Sequence, residues 1–168
     1  MKTKLTTALF ALLLTPIFAY AQGTLLNVYQ TLDVNAPADD VWEAIKDFDG
    51  LSNWHPLFAE SVLVSGENNV PGTVRRLTVK DGGPIFEEEL LEWDAWDRKL
   101  RYRIIWEETL PVTDYQSTIQ VLKTGRNKST VVWRGQFGAK PGNQDQDVVA
   151  FINGAYRAGL DNLKQMVE

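Results

Sequence analysis

Apolar and polar positions change period three times along this chain, and each change predicts an element. Across residues 25–34, Leu26, Val28, Gln30, Leu32 and Val34 share one parity and are mostly apolar, the alternation of a half-buried strand. Asn35-Ala36-Pro37 breaks that run. Pro37, followed by Asp39 and Asp40, predicts a short helix over about residues 38–46 that buries Val41, Trp42 and Ile45. Residues 47–56, punctuated by Gly50 and Pro56, read as a loop or a second short helix. From there the period is two, in runs at 61–65, 73–80, 86–93, 100–107, 111–124 and 129–137. The turns between them are short, which predicts antiparallel neighbours. Residues 144–168 return to a helical period, with Val148, Val149, Ile152, Tyr156, Leu160, Leu163 and Val167 on one face. Asp145 and Asp147 stand where the helix dipole favours acids, and Asn143 or Asp145 is the expected cap. The order predicts an α+β domain in which one curved, seven-stranded antiparallel sheet wraps around the long C-terminal helix.

Alternation also assigns faces. Tyr102, Ile104 and Trp106 oppose Arg101, Arg103 and Glu107; Tyr115, Ser117, Ile119 and Val121 oppose a polar set; Val131, Trp133 and Phe137 oppose Arg134 and Gln136. The apolar set of each strand should face the helix. Two strands carry charge on both parities, Arg75-Arg76 and Glu87-Glu88-Glu89, so at least one member of each group must point inward. With Gly82-Gly83 as a two-residue loop, Leu77 lies opposite Glu88, Val79 opposite Phe86, and Arg75 diagonal to Glu88. Leu91 and Trp93 fit this parity badly, which predicts a bulge before Asp94. An inward Arg and Glu are either a polar spot on a cavity wall or a structural ion pair near a sheet edge.

The N-terminus changes the picture of where the protein works. Lys2 and Lys4 precede an apolar run over residues 5–19, and Ala19-Tyr20-Ala21 fits a small-x-small cleavage site. Residues 1–21 therefore read as a cleaved signal peptide, leaving residues 22–168 as a single periplasmic or secreted domain without a membrane span; an uncleaved anchor is the alternative. Loss of Lys2 and Lys4 moves the net charge from −5 to −7. That charge argues against nucleic acid as a partner. The chain has no cysteine, so an exported form must rely on a packed core, for which six Trp, seven Phe and five Tyr are available.

Little of the inventory points to catalysis. His55 is the only histidine, a general base or a packing residue within Trp54-His55-Pro56. With no cysteine and one histidine, no transition-metal site is expected. There is no Gly-x-Ser-x-Gly elbow, and Asn127-Lys128-Ser129 fits the glycosylation pattern but falls in a tight turn. One helical face cannot fill the hollow of a curled sheet, and large side chains would line the remainder. The candidate lining is Arg75, Leu77, Phe86 and Glu88, then Tyr102, Ile104 and Trp106, then Tyr115, Ile119 and Trp133, with Ile152 and Tyr156 from the helix. The ligand would enter past residues 48–58.

Several local patterns, in this order, resemble a known superfamily: Ala36-Pro37-Ala38-Asp39-Asp40-Val41-Trp42, Trp54-His55-Pro56, Gly72-Thr73-Val74-Arg75, Glu88-x-Leu90 with Asp94, Tyr102, Tyr115 and Val132-Trp133. The chain is similar to the START-like or Bet v1-like helix-grip proteins, in particular the bacterial polyketide cyclase/dehydrase and lipid-transport branch. That resemblance implies an apolar ligand cavity between sheet and helix, no cofactor, and a small hydrophobic or amphipathic ligand. It implies no shared catalytic set, and two alternatives stand beside the binding reading. One is a cyclase-like acid/base enzyme with His55 or Glu88 as the base. The other follows from the exported branch, which is similar to an accessory protein of periplasmic methanol oxidation, and implies a periplasmic protein partner in a redox enzyme system.

Overall fold

A computed structural model describes residues 24–168. The expected signal peptide at residues 1–21 lies outside the described residues. The elements run β1 (Leu26–Val34), α1 (Ala38–Ile45), a 3-10 turn (Phe48–Gly50), α2 (Leu51–Trp54), β2 (Phe58–Ser65), β3 (Val74–Val79), β4 (Ile85–Asp94), β5 (Lys99–Glu107), β6 (Val112–Gly125), β7 (Lys128–Ala139) and α3 (Asp145–Val167). The strands form one antiparallel sheet in the order β1-β7-β6-β5-β4-β3-β2. The α+β helix-grip architecture expected from the pattern is the one observed. No helix among the described residues is long and apolar enough to cross a membrane.

The grip is a matter of matched faces. Helix α3 buries Val148, Ile152, Tyr156, Gly159, Leu160 and Leu163 against the concave side of the sheet, where Leu90, Val131 and Phe137 are fully buried. Its N-cap is Gln144, whose side chain makes no capping bond, in place of the expected Asn143 or Asp145; Asp145 and Asp147 sit in the first turn. Polar bonds pin the middle and the C-terminal end of the helix to β1: Gln30 donates to Asn153 at 2.7 Å, and Lys164 to the Asp33 carbonyl at 3.2 Å. Helix α1 buries Ala38, Val41, Trp42 and Ile45, and Trp93 donates its indole N–H to the Lys46 carbonyl at 2.8 Å.

Three local departures decide which side chains look inward. The β3–β4 turn centres on Asp81-Gly82, both with positive φ, rather than on Gly82-Gly83. A tight hairpin turn of the mirror-image type needs positive φ at both central residues, and Asp-Gly is a favoured pair for it. Arg75 therefore lies directly opposite Glu88, and Leu77 opposite Phe86, two residues from the expected register; an even shift keeps every side chain on its face. The expected bulge before Asp94 is present, with Leu91 as the extra residue. A second bulge was not foreseen. Ile104 pairs with Glu88 and Trp106 with Glu87, so Ile105 is extra and the parity of β5 inverts beyond it. Trp106, expected to share the inner face with Tyr102 and Ile104, is turned outward and is 47% exposed.

Candidate functional site

Between the β3–β6 side of the sheet and the first half of α3 lies a cavity of about 390 Å³. Its volume falls in the range of small-molecule sites, and its lining is overwhelmingly apolar. Of the residues expected from sequence, the fold brings Phe86, Glu88, Tyr102, Ile104, Tyr115, Trp133, Ile152 and Tyr156 together on its wall, and His55 joins them. Arg75 and Ile119 lie behind Tyr102 and Trp133, which partition the cavity from a much smaller void lined by Ile45, Asp47 and Leu100. Leu77 is fully buried in the core, and Trp106 is outside altogether.

The expected entrance past residues 48–58 holds at Leu57, but most of the residues around the opening were not expected. Leu57 and Phe151 line the cavity although both are substantially exposed, as does Gly154, while Val79 and Pro84 of the β3–β4 hairpin are half-buried. The opening thus runs between α3 and the start of β2, and Phe48, expected at the entrance, is fully buried. Phe151 lies off the buried stripe of α3, so periodicity assigns it to solvent. The available signal was Gly154: a glycine in the middle of a helix is unfavourable by about 1 kcal/mol against alanine, and here a Cβ would meet nothing within 4 Å.

The inner end is closed by a set of bonded aromatics. Trp133 stacks on Tyr156 at 4.3 Å between centroids, and its indole N–H is shared by the Tyr102 hydroxyl and Ser117 Oγ, each at 3.0 Å. Ser117 donates to the Arg134 carbonyl at 3.0 Å, so the Tyr156 hydroxyl donates to Ser117 at 2.8 Å and Tyr115 to Tyr156 at 2.6 Å. Gly135 makes room for this chain, since a Cβ there would collide with the Tyr156 hydroxyl. Burial holds all three phenols up, Tyr102 to about 12, so they are neutral donors at any physiological pH.

Arg75 and Glu88 are both 3% exposed. Arg75 Nε and Nη2 both donate to Glu88 Oε2, at 2.9 and 2.6 Å. Nη1 donates to the Phe48 carbonyl, and the guanidinium carbon lies 4.2 Å from the Phe48 ring centroid and 5.1 Å from that of Tyr102. Glu88 lines the cavity, and its Oε1 accepts no bond from any described residue. Burial pushes the Glu88 carboxyl up from its ordinary value, against the pull of Arg75.

His55 is held rather than poised. Its Nε2 faces the Ala155 carbonyl at 3.1 Å, which can only accept, so Nε2 carries the proton; Nδ1 accepts from the Leu57 N–H at 3.3 Å. Gly159 permits this approach, because a Cβ there would stand 2.5 Å from the imidazole Cδ2. Burial lowers the imidazole pKa to about 4, outweighing the Ala155 bond, which raises it. The unfolded chain therefore binds the extra proton between pH 6.5 and 4, and the folded chain does not. Through His55 alone, stability is complete above about pH 6.5 and falls by about 3 kcal/mol as the pH approaches 4. Urea unfolding of the wild type and His55→Gln at pH 7 and pH 4 checks this: the wild type should lose more stability over that interval, and the variant should lack that part of the slope.

A sheet gripping a terminal helix over an apolar cavity is a scaffold shared by many proteins, and comparison decides which group this one joins. Residues 26–168 match the family model described as polyketide cyclase / dehydrase and lipid transport. The chain belongs to that family. Among curated proteins of known function, the abscisic acid receptor PYL2 of Arabidopsis thaliana is 28% identical over 140 residues, covering 79% of this chain and 73% of the receptor. Among solved structures, the protein XoxI from Bacillus cereus superposes with a TM-score of 0.76 at 30% identity, covering 84% of this chain and 94% of that one. An aromatase/cyclase from a Streptomyces species superposes with a TM-score of 0.70, covering 86% and 94% of the two chains; at 18% identity it shares the fold alone.

Proposed function

We propose that this protein is an exported binding or carrier protein for a small hydrophobic or amphipathic molecule, held in the cavity between sheet and α3. The observation that carries the reading is an apolar space of about 390 Å³ with a carboxylate on its wall and partly exposed residues at its rim. Tyr102, Tyr115, Trp133 and Tyr156 form the walls, and Arg75 holds Glu88 to orient the ligand's polar group. Export rests on Lys2, Lys4, the apolar run and Ala19-Tyr20-Ala21. A receptor among the relatives supports binding without turnover.

Gly154→Trp tests it. The new side chain projects from the rim into open space, and replacing a helix glycine costs the fold nothing in propensity. The variant is expected to unfold at the wild-type temperature or above, and to bind an apolar fluorescent probe at least about tenfold more weakly. Unchanged probe affinity in a folded variant would remove the cavity as the binding site.

A second reading, cyclase-like acid/base catalysis, is favoured by one observation, the raised carboxyl of Glu88 facing the cavity. His55 has both ring nitrogens engaged by backbone and contributes packing to such a mechanism rather than a free base.

A further inference from the structure

We infer that the cavity selects ligands whose polar end is an uncharged hydrogen-bond donor, an alcohol or a phenol, bound at Glu88 Oε1, and that it rejects carboxylates. The inference rests on the binding role proposed above and fixes the chemistry of what is bound. Both Glu88-directed donors of Arg75 end on Oε2, and its Nη1 is taken by the Phe48 carbonyl. The guanidinium packs against the Phe48 and Tyr102 rings and has no place on the cavity wall. A ligand therefore meets the acidic half of the ion pair and not its basic half. No lysine or arginine is among the described residues that line the cavity.

Of the other polar groups at the inner end, Tyr115 donates to Tyr156 and Tyr156 to Ser117, while the Tyr102 hydroxyl accepts from Trp133. Oε1 is the acceptor left open, on a side chain 97% removed from solvent as judged by its 3% exposure. Glu88 stands on the cavity wall, so Oε1 can accept from a bound molecule, and a ligand O–H supplies the donor. A carboxylate would place a second negative charge beside Glu88 with no reachable cation. An ammonium would bring an uncompensated charge into a space where Arg75 already balances Glu88.

The test is a matched series at pH 8, where decanoate is ionised: 1-decanol, decyl methyl ether and decanoate are titrated into the full chain, following tryptophan fluorescence. Decanol is expected to bind at least about tenfold more tightly than the ether, because a site built around a polar partner discriminates strongly against the analogue lacking it. Decanoate is expected to bind most weakly. In Glu88→Gln the amide carbonyl stays with Arg75 and the NH₂ faces the cavity, where alcohol and ether oxygens can both accept, so the advantage of the alcohol over the ether should largely disappear. If that variant does not fold, the wild-type series decides alone. Equal affinity for alcohol and ether, or tightest binding of decanoate, overturns the inference and leaves the binding role standing. Absence of binding by all three overturns both.

Discussion

Arg75→Met is expected to lower the unfolding free energy by about 3–5 kcal/mol, because it leaves Glu88 buried without its cation. At this chain length that corresponds to a fall in Tm of roughly 6–20 °C. The loss is not the worth of the ion pair; it is mainly the penalty of a carboxylate stranded at 3% exposure. Two consequences separate this cause from simple loss of packing on Phe48 and Tyr102. The deficit should shrink as the pH falls, since the unpaired carboxyl has a raised pKa and escapes its penalty by taking a proton. The double variant Arg75→Met/Glu88→Leu should recover most of the stability lost in the single one, as apolar replacements of buried pairs commonly do. Urea unfolding at pH 5 and pH 8 for the three proteins measures both. A double variant no more stable than Arg75→Met would mean that the guanidinium acts through its aromatic contacts.

Trp133→Ala is expected to cost about 3–5 kcal/mol, with Trp106→Ala costing less than about 1 kcal/mol. Trp133 is 3% exposed, stacks on Tyr156, touches Trp54 and His55, and supplies the N–H for Tyr102 and Ser117. Its removal would open the partition between the cavity and the smaller void behind it. Trp106 has no comparable neighbours among its aromatic contacts and stands half in solvent. Chemical denaturation of both variants checks the ordering, and similar losses for the two would contradict the placement of Trp106.

That pair of tryptophans shows where pattern reading succeeds and where it ends. Strand alternation placed Trp133, Tyr102 and Ser117 on the concave face because the pairing of Tyr102 with Ser117 and of Ile119 with Trp133 is uninterrupted, and Tyr115 keeps the parity of Ser117 although the β6–β7 register shifts between Thr113 and Gln116. It failed at Trp106 because Ile105 bulges, and a bulge of ordinary aliphatic residues has no compositional mark. The Arg75–Glu88 contact was legible as charge on both parities of adjacent strands. Its register was misplaced by two residues, although Asp81-Gly82 carries the stronger turn signal. The entrance was legible on the side of residues 48–58, where Leu57 lies, but not on the side of α3: Phe151 is an apolar residue near water, and alternation treats an exposed apolar side chain as noise. Gly159 and Gly135, which admit His55 and the Tyr156 hydroxyl, leave no periodic trace because what they provide is the absence of a side chain.

The order of elements sets a timetable for folding. Strand β1 finds its partner only in β7, with Leu26 opposite Phe137, and α3, which fills the concave face, follows every strand. Bonds such as Gln30 to Asn153 and Asn35 to Glu168 join positions more than a hundred residues apart. Contacts so distant in sequence close slowly, since the chain entropy is lost before they form. While a ribosome is still making the last helix, the aromatic wall of the sheet has nothing to cover it and the first strand has no neighbour. The nascent chain thus stays open until synthesis is nearly finished, exposed to holdase chaperones and to aggregation alike. The export proposed above would require such a delay, because a chain that threads a translocation channel must still be unfolded.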